Sequence, residues 1–190
     1  MLRTLFAHAR RKPDAMFEIQ PKNAETYRRQ TRRSTVIIAL IFLALAMVLS
    51  TAAVALFGEP GGDNLRFNVG GVFVAVLLMV ALMRSLFWTQ EWMAPAVYGW
   101  QLKRSLMSIT NVMHQVTAAV EKGDPSAVKL LRFYHLGLSQ MHELDGNSSD
   151  HSQLTREMDQ HKARMEALGI DTEQTQLNPA WIETVKRASK

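Results

Sequence analysis

Two long uncharged runs mark the first half of the chain, and three seams of apolar residues at helical spacing mark the second. Ser34 to Gly58 holds no charged residue over 25 positions, and Phe67 to Met83 none over 17. As a helix the first run spans about 37 Å, against a hydrocarbon core of roughly 30 Å, so it is long enough to cross a membrane with some tilt. The second reaches 22 residues if it continues through Arg84 to Trp88, with Arg84 snorkelling towards the headgroups. A buried core helix of a soluble protein is the competing reading for each run, but uncharged stretches of this length are uncommon in soluble folds. Between them, "GEPGGDN" has turn composition, which makes the two helices antiparallel neighbours. Small residues at Ala46, Ser50, Ala53, Gly71 and Ala75 would let the backbones approach, although such residues are common in spans generally.

Beyond Pro95 the period changes. Leu102, Leu106, Ile109, Met113, Val116 and Val120 alternate spacings of 4 and 3, a narrow seam of the coiled-coil kind that ends at Gly123. Asp124-Pro125 then reads as a cap followed by a first helical residue, opening a helix whose face runs Ala127, Leu131, Tyr134, Leu138, Met141. A third helix, about 152 to 168, carries Leu154, Met158, His161, Met165 and Leu168 before Gly169. Asn178-Pro179 starts a short terminal helix with Trp181, Ile182 and Val185. The expected fold is all-α: a two-helix transmembrane hairpin, then a cytoplasmic helical bundle of about three helices plus a short C-terminal helix. No strand signal of useful length is present.

Charge supplies an orientation. Residues 1 to 33 carry nine Lys or Arg against three acids, the 59–66 connection is net −1, and the chain from Arg84 onward is neutral, so the basic excess lies ahead of the first run. Arg28, Arg29, Arg32 and Arg33 stand beside it, where basic residues resist translocation and favour anionic headgroups. Both termini are therefore expected in the cytoplasm, with residues 59–66 outside. The expected layout is a basic segment 1–33, spans at 34–58 and 67–88, an aromatic interfacial hinge at 89–101 and a helical domain at 102–190. The basic amphipathic start "MLRTLFAHARRKP" resembles a presequence or an interfacial helix, unless translation begins at Met16. A neutral C-terminal region without a basic stripe argues against a nucleic-acid partner, and the lack of cysteine removes disulfides and thiolate chemistry.

The stretch "FWTQEWMAPAVYGW" holds three of the four tryptophans. Trp88 and Trp92 are expected at headgroup depth as part of an aromatic belt. Pro95 is expected to be the hinge that redirects the chain, with Tyr98 and Trp100 beyond it.

Candidate chemistry is sparse. A soft-metal site such as Cu(I) would draw on Met158, His161 and Met165 on one predicted face, but methionine is common packing in helix seams, and His135 with His142 forms no close ligand pair. Glu143 with Asp145, and Glu157 with Asp159, read as solvated helix faces. No nucleophile elbow, phosphate loop, dinucleotide fingerprint or H-E-x-x-H string occurs. No catalytic, cofactor-binding or metal residue is assigned, and no cofactor is expected.

The lead "FEIQPKNAETYRRQTRRS", the two spans with their short hairpin, the aromatic exit and the helical tail together resemble a family of small bacterial inner-membrane proteins known as a domain of unknown function. The resemblance covers Met16 to the end. It implies a bacterial inner membrane and carries no activity or ligand with it. The function expected is a non-enzymatic, membrane-anchored protein-interaction or oligomerisation module, with the cytoplasmic helices meeting a protein partner or a second copy. The alternatives are an accessory subunit of a transporter or envelope complex, or a lipid-acting enzyme at the membrane surface using Glu91, His114 or His135.

Overall fold

A computed structural model describes residues 17–147 and 152–188; the basic amphipathic start and the choice between Met1 and Met16 lie outside them. The fold is all-α. Its helices are α1 (Ala24–Phe57), α2 (Leu65–Ser85), α3 (Ala94–Thr110), α4 (Met113–Glu121), α5 (Pro125–Asp145), α6 (Ser152–Ala167) and α7 (Pro179–Ala188). The described residues divide into two compact units, one comprising Lys22–Trp100 and the other the described residues on either side of it.

In the first unit α1 starts ten residues ahead of the uncharged run, so residues 24–33, expected as part of a separate basic segment, are helical. Asn23 explains the start: its side-chain oxygen accepts from Thr26 N at 2.9 Å. Good helix formers follow with nothing to break them before Ser34, and the result is one helix of 34 residues, about 51 Å long. Both α1 and α2 have the length and apolarity needed to cross a membrane. Their turn is tied by Asn64, whose amide accepts from Glu59 N at 3.0 Å and donates to Glu59 O at 3.1 Å. Gly61 supplies the positive φ of 77° that the reversal needs.

The two helices touch through backbone. A Cβ on Gly71 would stand 2.5 Å from Ser50 Cα and 2.7 Å from Leu49 O, and Ala75, one turn on, is fully buried. Beside this contact Ser50 Oγ donates to Asn68 Oδ1 at 2.6 Å. Their other faces point outward: Val36, Leu40, Leu43, Met47, Val69 and Phe73 are all more than half exposed.

α2 ends at Ser85, three residues before the expected exit. Two 3-10 turns follow, Phe87–Thr89 and Glu91–Met93, and α3 begins at Ala94. The redirection expected at Pro95 thus falls earlier, over residues 86–93. Pro95 sits in the first turn of α3, where a missing N–H leaves no bond unmade, so it starts a helix instead of bending one.

The second unit is built on residues 17–21 and 101–188. The single helix expected from Leu102 to Val120 is broken: α3 stops at Thr110 and α4 starts at Met113. The run Ile109-Thr110-Asn111-Val112 is poor in helix formers, and Val112 leaves helical geometry at φ −121°, ψ 14°. The seam nonetheless stays inward on both sides of the break. Ile109, Val112, Val116 and Val120 join Ala127, Val128, Leu130 and Phe133 of α5, Met165 of α6, Leu177, and Val185 of α7 in one core. Asp124 caps α5 through bonds from Ser126 N at 2.7 Å and Ala127 N at 3.1 Å.

Residues 17–19 lie extended against residues 175–177, with Ile19 N donating to Thr175 O at 2.9 Å and Leu177 N to Phe17 O at 2.8 Å. Phe17 meets Phe133 edge-on at 6.4 Å. The end of the basic lead is therefore part of this core, which the sequence did not indicate.

Gly71→Leu is expected to destabilise the α1–α2 pair by about 2 kcal/mol or more, because the clash is with backbone. Gly70→Leu, with nothing within 4 Å of the added Cβ, should be near neutral. SDS titration of the detergent-solubilised protein, followed by far-UV circular dichroism, separates the two.

Candidate functional site

Two histidines placed 26 positions apart in the chain meet between α5 and α6. His135 and His161 are both buried, at 5% and 6% exposure, and their rings stand edge to face with centres 5.4 Å apart. They line a hollow of about 450 Å³ with Met113 and Thr117 of α4, Tyr134 of α5, and Glu157 and Arg164 of α6.

The helices explain the placement. On α5, His135 follows Leu131 by four residues, which puts both on the side that α6 covers. α6 is strongly polar, and among its described side chains only His161 and Met165 are buried. Leu168, the last member of the expected seam, is half exposed instead, because Gly169 takes a left-handed turn directly after it. His161 thus occupies a docking position that a leucine would ordinarily fill.

Hydrogen bonding fixes one ring and leaves the other short. His161 Nε2 lies 2.9 Å from Val128 O. A carbonyl only accepts, so Nε2 carries the proton and the neutral ring presents Nδ1 as a lone pair. His135 Nδ1 is buried without a hydrogen-bond partner among the described residues. Arg164 donates to Val120 O at 2.7 Å, closing the end of α4, and Arg132 Nε donates to Thr172 O at 3.0 Å.

Both rings are held neutral. Burial pushes His135 down from 6.5 to about 4, with the neighbouring His161 and Arg132 adding to the effect and Glu157 opposing it. Burial lowers His161 too; its bond to Val128 opposes this, while Arg132 and Arg164 reinforce it. At neutral pH the hollow therefore offers imidazole lone pairs and a thioether at its wall, with Glu157 and Arg164 at the same surface.

The other residues singled out from the sequence are placed as follows. Arg28, Arg29, Arg32 and Arg33 are exposed on the first turns of α1, and Arg84 is exposed in the last turn of α2. Trp88 and Trp92 are half-buried: Trp88 packs edge-on against the exposed Trp100 at 4.9 Å, and Trp92 against Phe87 at 5.6 Å. Tyr98 is buried, with Lys22 Nζ 4.6 Å over its ring. Leu102, Leu106, Ile109, Val116 and Val120 are buried, and Met113 half-buried.

The three residues named for an enzymatic alternative do not converge. Glu91 is exposed in the second 3-10 turn, His114 is exposed on α4, and only His135 enters the hollow. The methionines of the suggested soft-metal face also separate, since Met165 is in the core while Met158 lines a different depression beside His142. Asp145 pairs with Lys103 at 2.9 Å across an exposed surface.

The His135–His161 pair is the functional feature that the sequence reading missed. Each histidine stood out separately, His161 in the third apolar seam and His135 for the enzymatic alternative, but nothing in the sequence joined them. Partners on separate helices have no spacing to read.

Among known proteins, the sequence matches the family described as Protein of unknown function (DUF3087) over residues 17–182. No curated protein matches, and no solved structure does.

A neutral buried pair makes the domain acid-sensitive. With the folded value of His135 depressed, the unfolded chain takes up protons first as pH falls below 6.5, so stability is full above that pH and declines towards pH 4. From pH 7.5 to pH 5 the loss from His135 is expected to be about 2 kcal/mol. Urea midpoints at the two pH values measure it, and His135→Gln should flatten the difference.

Proposed function

We propose that this chain, which belongs to the DUF3087 family, is a two-span protein of the bacterial inner membrane whose hairpin holds a cytoplasmic helical domain that binds another protein or a second copy, without catalysing a reaction. One observation carries the reading. α1 and α2 turn large apolar side chains outward along their length, with Val36, Leu40, Leu43, Met47 and Phe73 among them, while the residues of the other unit close a core of their own. An outward apolar surface of this kind is costly in water and favourable in lipid. The same chain thus combines a lipid-facing hairpin with a self-sufficient domain.

Orientation is supported by the arginines. Because α1 begins at Ala24, Arg28, Arg29, Arg32 and Arg33 project from a rigid helix end, where cytoplasmic placement beside anionic headgroups is favoured. Ser34, at the start of the uncharged run, is buried and its hydroxyl donates to Trp92 O at 2.6 Å. Arginines and tryptophans are thereby held at one level, which suits a headgroup layer.

Binding of a partner is supported by α6, whose polar outer face is displayed and not spent on the core. The seam of α3 and α4 is consumed inside the domain, so a partner would meet other surfaces. No nucleic acid is included in this reading, since the basic residues cluster on α1 next to the apolar run.

The chain lacks cysteine, so single-cysteine labelling is clean. In spheroplasts a membrane-impermeant maleimide is expected to label Pro60→Cys at once and Lys122→Cys only after lysis. The reverse order would overturn the orientation, and equal labelling of both in intact cells would overturn the two-span reading. For the partner, a photoreactive benzoylphenylalanine at exposed Ala163 is expected to give a discrete cross-linked band in membranes. Monomer alone would count against the interaction role.

A further inference from the structure

Two buried side-chain atoms lack a hydrogen-bond partner among the described residues, Gln115 Oε1 and His135 Nδ1, and it is the ring nitrogen that has a second histidine beside it. A buried polar atom without a partner costs about 1–3 kcal/mol, and native structures keep few of them without a reason. Its surroundings supply a reason. A ligating histidine usually donates its other ring N–H to a backbone carbonyl or carboxylate, which orients the ring and fixes its tautomer. His161 does this through Nε2 to Val128 O at 2.9 Å, leaving Nδ1 as its lone pair.

The spacing of the rings agrees. An imidazole nitrogen bonds a d10 ion at about 2.0 Å, so two rings sharing one ion at angles between tetrahedral and trigonal have centres about 5.2–5.5 Å apart. His135 and His161 stand at 5.4 Å. A bare edge-to-face stack gives a similar spacing, but it leaves Nδ1 of His135 without a partner among the described residues.

From this geometry we infer that the hollow between α4, α5 and α6 is a Cu(I) site, with His135 and His161 as nitrogen ligands and Met113 as the thioether ligand.

The choice of ion follows from the wall. Among the described residues no three His, Cys, Asp or Glu side chains cluster as metal ligands, so the third donor has to be of another type, and Met113 lines the same hollow. Thioethers select Cu(I), which accepts low coordination numbers, whereas Zn(II) prefers a closed set of nitrogen, thiolate or carboxylate ligands. Charge points the same way. Arg132 of α5 and Arg164 of α6 act on both or one of the rings, with Glu157 of α6 the acid facing His135. Two guanidiniums against one carboxylate penalise a divalent ion more than a monovalent one.

The test is an anaerobic titration of the full-length, detergent-solubilised protein with Cu(I) against a chromophoric Cu(I) chelator, with Zn(II) titrated separately. One equivalent of Cu(I) is expected to resist the chelator. Met113→Leu and His135→Gln should each weaken it by about tenfold or more, while His114→Gln, at an exposed position, should leave it unchanged. Met113→Leu is nearly isosteric and keeps the fold, so it decides the matter if His135→Gln unfolds, as circular dichroism would reveal. Absence of binding, or binding unaffected by Met113→Leu, overturns the site. Zn(II) bound more tightly than Cu(I) overturns the assignment of the ion.

Discussion

The absence of a side chain at position 71 sets the geometry of the hairpin. With Gly71 against Ser50 Cα, the backbones of α1 and α2 approach to a distance that any Cβ would forbid. In lipid, where apolar side chains gain little by leaving their solvent, close backbone packing and interhelical hydrogen bonds are the interactions left to hold two helices together. Ser50 and Asn68 supply such a bond beside the contact. Nearer the other end of the pair, Ser34 reaches the carbonyl of Trp92, so the segment after α2 is tied back to α1 at the level where its charged turns begin. Tyr27 repeats the theme by packing against Gly99, where a Cβ would collide with its hydroxyl.

The helical domain solves a different problem. Its core is made by α3, α4, α5 and α7 with an extended lead from residues 17–19, and α6 covers one side through His161 and Met165. Putting a histidine where a leucine would pack better costs stability unless the ring stays neutral and bonded. The structure meets that condition for His161 through Val128 O and only half meets it for His135. A polar helix docked by a titratable group is sensitive to acid.

Much of this was legible in the chain. The uncharged runs, the turn between them, the caps at Asp124 and Asn178, and the inward seam of α3 and α4 follow from local pattern, because each depends on residues within a few positions of one another; on α5 the expected face is off, since Leu131, Tyr134, Leu138 and Met141 are only half-buried while Leu130, Phe133 and Leu144 fill the core. The errors also have local causes. The expected helix from Leu102 to Val120 breaks because poor helix formers at 109–112 outweigh an unbroken apolar period, and Pro95 starts α3 because the preceding segment has already left helical geometry at Gln90, which is extended. The docking of Phe17 on Phe133 and the bridge between Glu18 and Gln176 span more than a hundred positions and left no trace in periodicity.

Sequence alone determined the helical class, the two long apolar helices, their connecting turn and the concentration of arginine before the first of them, since length, charge and spacing are one-dimensional quantities. Tertiary structure decided which small residue becomes the contact, Gly71 and not Gly70, because only one of two adjacent positions faces the partner helix. It also decided that His135 and His161 meet. Their encounter depends on how α5 and α6 pack, a relation between faces of separate helices that no local pattern encodes.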